Sequence, residues 1–270
     1  MSENDKSYAR QLELANLLTR PAIEQAIAAL RLPIQSRGLD AGCGIGLHTN
    51  LLAEVTGKGG HVTGLDTSAA HLERARKATP PKGAGEVEFV EGDVFSMPFE
   101  PDSFDWAWCC DTLYPVSGRD PQAGLAEIKR VVKPGGVVAV VFWSSQKFLP
   151  GHPLLEARLD LAHTVNNPYM GNIEPSLHFL RSLGWFKAAG LESPAVQTFA
   201  AGASAPLEKE IRRAVGFCFS MLWGDLQTSL ARDHWKEYQR LCKPDSPDYI
   251  LDEPDYCCIV TYSLFTGRVP

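Results

Sequence analysis

Short apolar segments and helical segments alternate through the middle of this 270-residue chain. The apolar segments have strand length, and most of the segments between them carry apolar residues at helical spacing. Strands and helices that alternate in this way form a parallel sheet with helices on both faces and right-handed crossovers. The predicted strands are Gly38 to Ala41, His61 to Asp66, Val87 to Glu91, Asp105 to Cys110 and Val137 to Trp143, and the predicted helices are His48 to Val55, Ala69 to Ala78 and Gln122 to Val131.

Both ends of the chain are predicted to add helices to this core. Apolar residues recur at helical spacing from Leu12 to Leu30, and Pro21 suits the first turn of a new helix, so two N-terminal helices are expected. After residue 143 the pattern predicts helices within Pro150 to Asn167, over Ser176 to Ala189 and within Leu207 to Leu241, with candidate strands at Ala195 to Ala200 and Cys257 to Thr266.

Charge and hydropathy exclude several classes of function. The chain has 26 Lys and Arg against 32 Asp and Glu, a formal net charge of −6, without a basic run, so no nucleic-acid partner is expected. Its longest apolar stretch, Val137 to Trp143, is too short to cross a bilayer, and Met1 to Arg10 is too polar for a signal peptide. We expect a soluble cytoplasmic protein without a membrane span, whose partners are small molecules.

The cysteines do not indicate a metal site or a disulfide framework. There are seven of them, an odd number, and no Cys-x-x-Cys spacing with a matching pair of histidines. Reduced thiols, mostly buried, are the expectation.

A glycine-rich turn follows the first predicted strand. Asp40 lies at the end of this strand, glycines follow at positions 42, 44 and 46, and a helix comes next. Glycine lets the backbone turn sharply or approach a ligand closely, and a helix start of this kind can cradle a ligand. A simple tight turn between strand and helix is the alternative.

Two further acids end the next predicted strands. Asp66 closes the second strand, where an acid in this architecture accepts hydrogen bonds from ribose hydroxyls. Gly92, Asp93 and Val94 follow the third, where a carboxylate and a backbone amide can bracket an adenine edge. Asp66 could instead cap the helix that begins near Ser68, and Asp93 could cap a turn.

Together, these residues resemble the class I S-adenosylmethionine-dependent methyltransferases, and among them the type 11 and quinone-biosynthesis branch. The likeness runs from about residue 38 to residue 143. Matched in order are Asp40, Gly42, Gly44 and Gly46 for the first motif, Asp66 for the ribose-binding acid, Asp93 for the adenine-contacting acid, and Lys133-Pro134-Gly135-Gly136 for the turn before the fifth strand.

The resemblance implies an α/β fold with a Rossmann-like, seven-stranded, mostly parallel sheet, helices on both faces and helical lid insertions. In it, the strand at 257–266 is antiparallel and lies beside the strand at 195–200. We expect residues 1–36 to be N-terminal helices that cover the cofactor site, with Tyr8 and Arg10 ahead of the first helix as candidates to fold over it. Residues 37–146 are expected to form the cofactor-binding core, and residues 147–270 the rest of the sheet with a helical substrate lid.

The resemblance also implies a cofactor and the residues that hold it. S-adenosylmethionine is expected to bind and S-adenosylhomocysteine to be released, with no metal. In the family, the glycine loop lines the amino-acid end of the cofactor, and the first acid acts locally or through water. The implied binding residues are Asp40, Gly42, Cys43, Gly44, Gly46, Asp66, Thr67, Gly92, Asp93, Val94 and Cys110.

A nicotinamide dinucleotide is disfavoured as the ligand. The residue three after Gly44 is Leu47, so the dinucleotide pattern Gly-x-Gly-x-x-Gly is absent. Asp40 would repel a pyrophosphate, whereas its charge attracts an ammonium or a sulfonium.

The methyl acceptor is expected to be a small molecule that offers an oxygen, a nitrogen or a carbon. In the family, the segment after the fourth strand lies beside the reactive methyl, and here Asp111 and Tyr114 are the candidate catalytic residues. The Tyr114-Pro115 pair differs from the motif of enzymes that methylate nucleobase amines. Aromatic residues of the lid, Tyr169 among them, favour an apolar or aromatic acceptor. Two alternatives stay open: a protein that binds the cofactor without turnover, and, less favoured, an oxidoreductase. The sequence does not fix the oligomeric state.

Overall fold

The computed structural model describes residues 3–78, 80–114, 119–167 and 173–270, with side chains from residue 9 onward. Pro115, Tyr169 and the side chain of Tyr8, which entered the expectations above, lie outside the described residues.

Seven strands form one sheet with the order β3-β2-β1-β4-β5-β7-β6. Strands β1 to β5 pair in parallel, and β7 runs antiparallel between β5 and β6. This arrangement confirms the predicted mostly parallel sheet with its late antiparallel strand. The strands are β1 Arg37–Ala41, β2 His61–Asp66, β3 Glu86–Glu91, β4 Phe104–Cys110, β5 Val132–Lys147, β6 Glu192–Ser204 and β7 Cys257–Arg268.

Helices cover both faces of the sheet, and two of them, α7 and α8, lie between β6 and β7 in the chain. The helices of the described residues are α1 Glu3–Leu30, α2 Leu47–Thr56, α3 Ala69–Ala75, α4 Pro121–Val131, α5 Pro153–Asn166, α6 Ser182–Ala188, α7 Lys209–Trp223 and α8 Arg232–Cys242. None of them is long and apolar enough to cross a bilayer.

The prediction of two N-terminal helices was wrong, because α1 continues through Pro21. Proline removes one backbone hydrogen bond inside a helix, a cost that tertiary packing can outweigh. Here Ala22 and Ile23 are fully buried, and α1 packs on β6, β7 and α7. Gln25 further anchors the helix by donating to the Ala200 carbonyl of β6 at 3.2 Å. Arg10 therefore lies inside α1 rather than ahead of it.

The predicted helix from Ser176 to Ala189 was also wrong in its first half. Two 3₁₀ turns, at Pro175–Leu177 and Phe179–Arg181, precede α6. The backbone of His178 is extended between them, with φ −65° and ψ 134°, which ends one turn before the next begins. This break lets the buried Phe179 ring contact Phe142 of β5, with centroids 5.3 Å apart.

The two faces of the sheet carry separate hydrophobic clusters, as the alternation of side chains along a strand requires. Trp106 and Trp108 of β4 belong to the cluster that includes residues of α1, α2, α5, α7 and α8. Ala107 and Cys109 belong to the cluster beneath α4 and α6. Many aromatic residues expected in a lid, such as Trp223, are therefore ordinary core residues. The division of the chain at residues 36 and 146 stays a prediction.

Candidate functional site

The carboxyl ends of β1, β2 and β4 meet at one edge of the sheet, where two cavities form a crevice. The first cavity has a volume of about 460 Å³ and the second about 380 Å³. Both are lined by Gly42, Asp66, Thr67 and Thr112, so they meet at the glycine loop. The edge of a parallel sheet beyond its strand ends is where α/β proteins bind ligands.

The glycine loop is fixed against β2 by its own backbone. The N–H groups of Gly42 and Cys43 both donate to the Leu65 carbonyl, at 2.8 and 2.9 Å. Gly42 has φ +80°, and a Cβ atom there would lie 2.2 Å from Thr112 Oγ1. Gly46 is the N-cap of α2 in the left-handed conformation. Glycine is therefore required by the turn itself, because a side chain at Gly42 would collide with the segment after β4.

Asp40 lies behind the loop and lines neither cavity. Its side chain is 1% exposed, and Thr49 Oγ1 donates to its Oδ2 at 2.6 Å. Burial raises the pKa of Asp40 to about 7, and the negative charge of Asp66 adds to this effect. Asp40 thus ties β1 to α2 beneath the glycine loop, and its predicted action on the cofactor stays a prediction.

The raised pKa of Asp40 has a consequence for stability. The folded state favours the protonated carboxyl of Asp40. Its contribution to the free energy of unfolding is therefore fully present below the unfolded pKa of 3.8 and is lost as the pH rises through about 7. Asp40→Asn keeps an acceptor for Thr49 but has no ionisable group. Between pH 4 and pH 7.5 its free energy of unfolding should therefore fall by up to about 4 kcal/mol less than that of the unmodified protein. Urea unfolding of both proteins across this range measures it. Parallel pH curves for the two proteins would show that Asp40 has an ordinary pKa.

Asp66 lines both cavities and holds the loop at the same time. Its Oδ2 accepts from the N–H of Gly44 at 2.9 Å, and its Oδ1 accepts from the N–H of Ser68 at 2.9 Å. The N-cap of α3 is Ser68, whose Oγ accepts from the His71 N–H. Asp66 is thus not the helix cap; His71 Nδ1 lies 3.6 Å from its Oδ1, and the carboxyl group also borders both cavities.

Asp93 lines the first cavity together with Gly92 and Val94. Its Oδ1 accepts from the N–H of Phe95 at 3.0 Å, and its Oδ2 accepts from Arg119 at 2.8 Å. Burial opposes ionisation, but these two donors hold the pKa of Asp93 below its ordinary value. The carboxylate is therefore charged at neutral pH.

Arg119 is a site residue that sequence reasoning missed. Its guanidinium lies 3.7 Å from the centroid of the Phe95 ring and borders the first cavity. A lone arginine before a predicted helix carries no signal in the sequence, because its pairing with Asp93 spans 26 residues.

Asp111 is held at the end of β4 in an unusual backbone conformation, with φ +49°. Its Oδ1 accepts from the Trp143 N–H at 2.8 Å and from the Tyr114 hydroxyl at 3.0 Å, and the Tyr262 side chain lies near the carboxylate. The Cys110 thiol lies 3.7 Å from Oδ2. Burial raises the pKa of Asp111, although these donors offset part of the rise. The residue nevertheless stays exposed to the crevice.

The cluster of Asp111, Tyr114 and Tyr262 connects the cavities. Asp111 and Tyr262 line the second cavity, whereas Tyr114 lines the first cavity and also a third one of about 520 Å³. Burial raises the pKa values of Tyr114 and Tyr262 well above the ordinary range, so both hydroxyls keep their protons. Tyr262 was missed in the sequence, because 151 residues separate it from Asp111.

Four histidines of the chain, at positions 48, 152, 163 and 178, do not gather at one place. His48 lines the second cavity beside Trp108, with ring centroids 6.0 Å apart, and burial lowers its pKa to about 4, so it is neutral. His163 lines the third cavity. His152 lies 3.7 Å from Glu237, and His178 lies between the two 3₁₀ turns.

Three polar features make the crevice suitable for a sulfonium nucleoside. The ionised Asp93 lines the first cavity, and the carboxyl group of Asp66 lies where the two cavities meet. The glycine loop leaves the backbone uncovered where Gly44 lines the second cavity. In α1, Asn16 also lines this cavity, and its Oδ1 is buried with no hydrogen-bond partner among the described residues. A buried acceptor without a partner is costly, which indicates that a donor group of a ligand or a water completes it.

Comparison with known proteins defines the class. The model of the methyltransferase domain family matches residues 39–140, the segment from β1 to β5 that builds the glycine loop and the three acids. The match covers 102 of the 270 residues and identifies a methyltransferase domain in this segment. The sequence-based expectation of a methyltransferase domain is thereby confirmed for residues 39–140.

Two named relatives share this segment. A sterol 24-C-methyltransferase of Gibberella zeae is 30% identical over 155 residues, which cover 57% of this chain and 39% of the relative. A demethylmenaquinone methyltransferase of Staphylococcus haemolyticus is 36% identical over 121 residues, 45% of this chain and 48% of the relative. The matches thus span less than half the length of either relative.

Structural similarity to known proteins covers more of this chain than sequence similarity does. A chain of the Haloferax volcanii complex between the Trm112 methyltransferase activator and a methyltransferase is similar over 100% of this chain and 99% of its own length, with a TM-score of 0.60. At 18% identity this similarity shows the fold alone.

Proposed function

We propose that this protein transfers a methyl group from S-adenosylmethionine to a small-molecule acceptor and releases S-adenosylhomocysteine. The observation that carries this proposal is the crevice of two joined cavities at the glycine loop, with Asp66 at their junction. It lies within the segment that matches the methyltransferase domain.

Different residues of the crevice are proposed to contact different parts of the cofactor. Asp66 would accept hydrogen bonds from the ribose hydroxyls, and Gly92, Asp93 and Val94 would border the purine, with Arg119 beside them. Thr67 lines both cavities, next to Asp66. Gly42, Cys43, Gly44 and Cys110 border the second cavity, which suits the amino-acid portion. When bound, the cofactor supplies a methyl group on a positively charged sulfur.

The third cavity offers room for an acceptor beside this crevice. Tyr114 separates the third cavity from the first, and Trp143, Met221 and Leu222 line its interior. A cofactor-binding protein without turnover needs no such second space, so this cavity supports an enzyme. Because positioning contributes most of the rate of a methyl transfer, the walls of this cavity are proposed to hold the acceptor in line.

Asp111 and Tyr114 are proposed as the residues that act on the acceptor. Asp111 borders the second cavity, and Tyr114 borders the third. A carboxylate with a raised pKa can accept a proton near neutral pH. The aromatic lining favours an apolar or aromatic acceptor, and the two named relatives, which methylate a sterol and a menaquinone precursor by name, support a ring-containing one.

Incubation with methyl-labelled S-adenosylmethionine and a metabolite extract, followed by mass spectrometry, tests the proposed function. We expect a labelled small molecule that depends on the active protein. A protein that binds S-adenosylhomocysteine tightly but labels nothing in extracts of several kinds would instead be a sensor or partner subunit.

A further inference from the structure

The third cavity contains a carboxylate that the proposed methyl transfer does not use. Asp160 of α5 lines this cavity and is half-buried. Its Oδ1 accepts from Trp223 Nε1 at 3.2 Å and from Gln146 Nε2 at 3.4 Å, and Trp143 Nε1 donates to Gln146 Oε1 at 2.9 Å. This chain of hydrogen bonds fixes the orientation of the carboxylate. Its Oδ2 receives no hydrogen bond from the residues that the structure describes, so it can accept one from a ligand.

The charges near Asp160 are negative on balance. Lys147 also lines the third cavity, but its Nζ lies 3.6 Å from Glu156 Oε2, so its charge is matched by that carboxylate. His163 lines the cavity as well, and burial lowers its pKa, so it is neutral at pH 7. In this part of the described chain, two carboxylates thus face one ammonium group.

A ligand cation would relieve this excess. Burial and the negative charge of Glu156 raise the pKa of Asp160, so its ionisation is unfavourable. A positive charge beside Asp160 would stabilise the ionised form, because it offsets the charge of both carboxylates. A hydrogen bond from an ammonium group to a carboxylate is also stronger than one between neutral groups.

The acids of the crevice do not reverse this balance. Asp66 and Asp93 line the first cavity, and Asp111 lines the second. Arg119, which borders the first cavity, donates to Asp93 at 2.8 Å. These groups and the positive charge of a bound cofactor belong to the crevice, whereas Asp160 faces the separate third cavity.

The other walls of the third cavity suit an apolar body. Trp143 and Tyr114 contribute aromatic side chains, and Met221 and Leu222 contribute aliphatic and thioether surface. Aromatic faces also attract organic cations. The volume of about 520 Å³ is sufficient for a compound of the size of a typical small-molecule ligand.

We infer that the acceptor bound in the third cavity is an amphipathic amine, whose protonated amino group donates to Asp160 Oδ2 and whose apolar body lies against Trp143 and Tyr114. The amino group is not the methylated atom, because a protonated nitrogen has no free electron pair. The methylated atom belongs to the part of the molecule beside Tyr114, which separates the third cavity from the first. The inference rests on the proposed methyl transfer and adds a charge requirement to its substrate.

Three naphthalene probes of similar shape test the charge requirement without turnover. We expect 2-(aminomethyl)naphthalene to bind to the protein saturated with S-adenosylhomocysteine about ten- to a hundredfold more tightly than 2-(hydroxymethyl)naphthalene. The anionic 2-naphthoate should bind more weakly than the alcohol. Because the ring is shared, the difference reports the charge of the substituent. Isothermal titration at pH 7 measures all three affinities.

Two substitutions in the cavity should move this preference in opposite directions. Asp160→Asn keeps an acceptor for Trp223 but removes the charge, so the amine should bind at most about threefold more tightly than the alcohol. Lys147→Met removes a positive charge, so the amine should bind about two- to fivefold more tightly than to the unmodified protein, with the alcohol unchanged. As a control, Asp245→Asn removes an exposed carboxylate from the loop after α8 and should keep the original preference.

The outcomes separate this inference from the proposed function. Affinity for S-adenosylhomocysteine is measured first, and its absence in the unmodified protein would refute the proposed function, whereas an amine preference that depends on Asp160 would still support the cation site. The inference is wrong if no probe binds, if the alcohol or 2-naphthoate binds as tightly as the amine, if Asp160→Asn keeps the preference, or if Lys147→Met weakens it. Should Asp160→Asn not fold, the three probes and Lys147→Met decide the question.

Discussion

Gly44→Val should lower the affinity for S-adenosylhomocysteine at least about a hundredfold, which corresponds to about 2.7 kcal/mol. Gly44 has φ +54°, its N–H donates to Asp66, and it lines the second cavity. A valine would strain this backbone and place two methyl groups against Leu12 of α1, since a Cβ atom already lies 3.4 Å from its side chain. Isothermal titration measures the loss.

Gly83→Val is the matched control for Gly44→Val. Gly83 has φ +94°, it is exposed, and a Cβ atom there would have no neighbour within 4 Å. This variant should lose a comparable stability from backbone strain and keep its ligand affinity within about twofold. Normal affinity in Gly44→Val would show that the loop does not border the ligand.

Asp66→Ala should weaken binding of S-adenosylhomocysteine by about 1.5 to 3 kcal/mol, or roughly ten- to a hundred-and-fifty-fold. The substitution removes the proposed acceptor for the ribose and also releases the Gly44 and Ser68 N–H groups that Asp66 now holds. The chain should remain folded, because the side chain lies at the edge of the sheet, beside the crevice.

Asp105→Ala provides the comparison for Asp66→Ala. Asp105 accepts from the Arg37 N–H at 2.7 Å and from Lys133 at 2.7 Å, at the opposite edge of the same sheet. Its loss should destabilise the fold without changing ligand affinity. Equal affinities for Asp66→Ala and the unmodified protein would remove the ribose assignment.

Local pattern was sufficient to predict the central sheet. The strands of 37–147 were readable because each contains a short apolar segment, although β5 extends to 16 residues. The glycine loop was readable because its residues are consecutive. The continuation of α1 past Pro21 could not be predicted from local pattern. The packing that stabilises the helix there comes from β6, β7 and α7, which are more than 160 residues away in the sequence.

The candidate site was only partly readable for the same reason. Asp66 and Asp93 were found because each follows a strand at a recognisable distance from the glycine loop. The contacts of Asp111 with Trp143 and Tyr262 depend on the pairing of β5 with β7, which no local pattern encodes. The burial of Asp40 behind the loop likewise depends on Thr49 and the helix above it.

A crystal structure of the protein with S-adenosylhomocysteine tests the central claim most directly. We predict electron density that follows the two joined cavities, with the sugar hydroxyls on Asp66, the purine beside Asp93 and Val94, and the amino-acid portion along Gly42 and Gly44. Crystals soaked at saturating concentration that show the crevice without ligand, or the ligand bound elsewhere, would contradict the assignment of this crevice as the cofactor site.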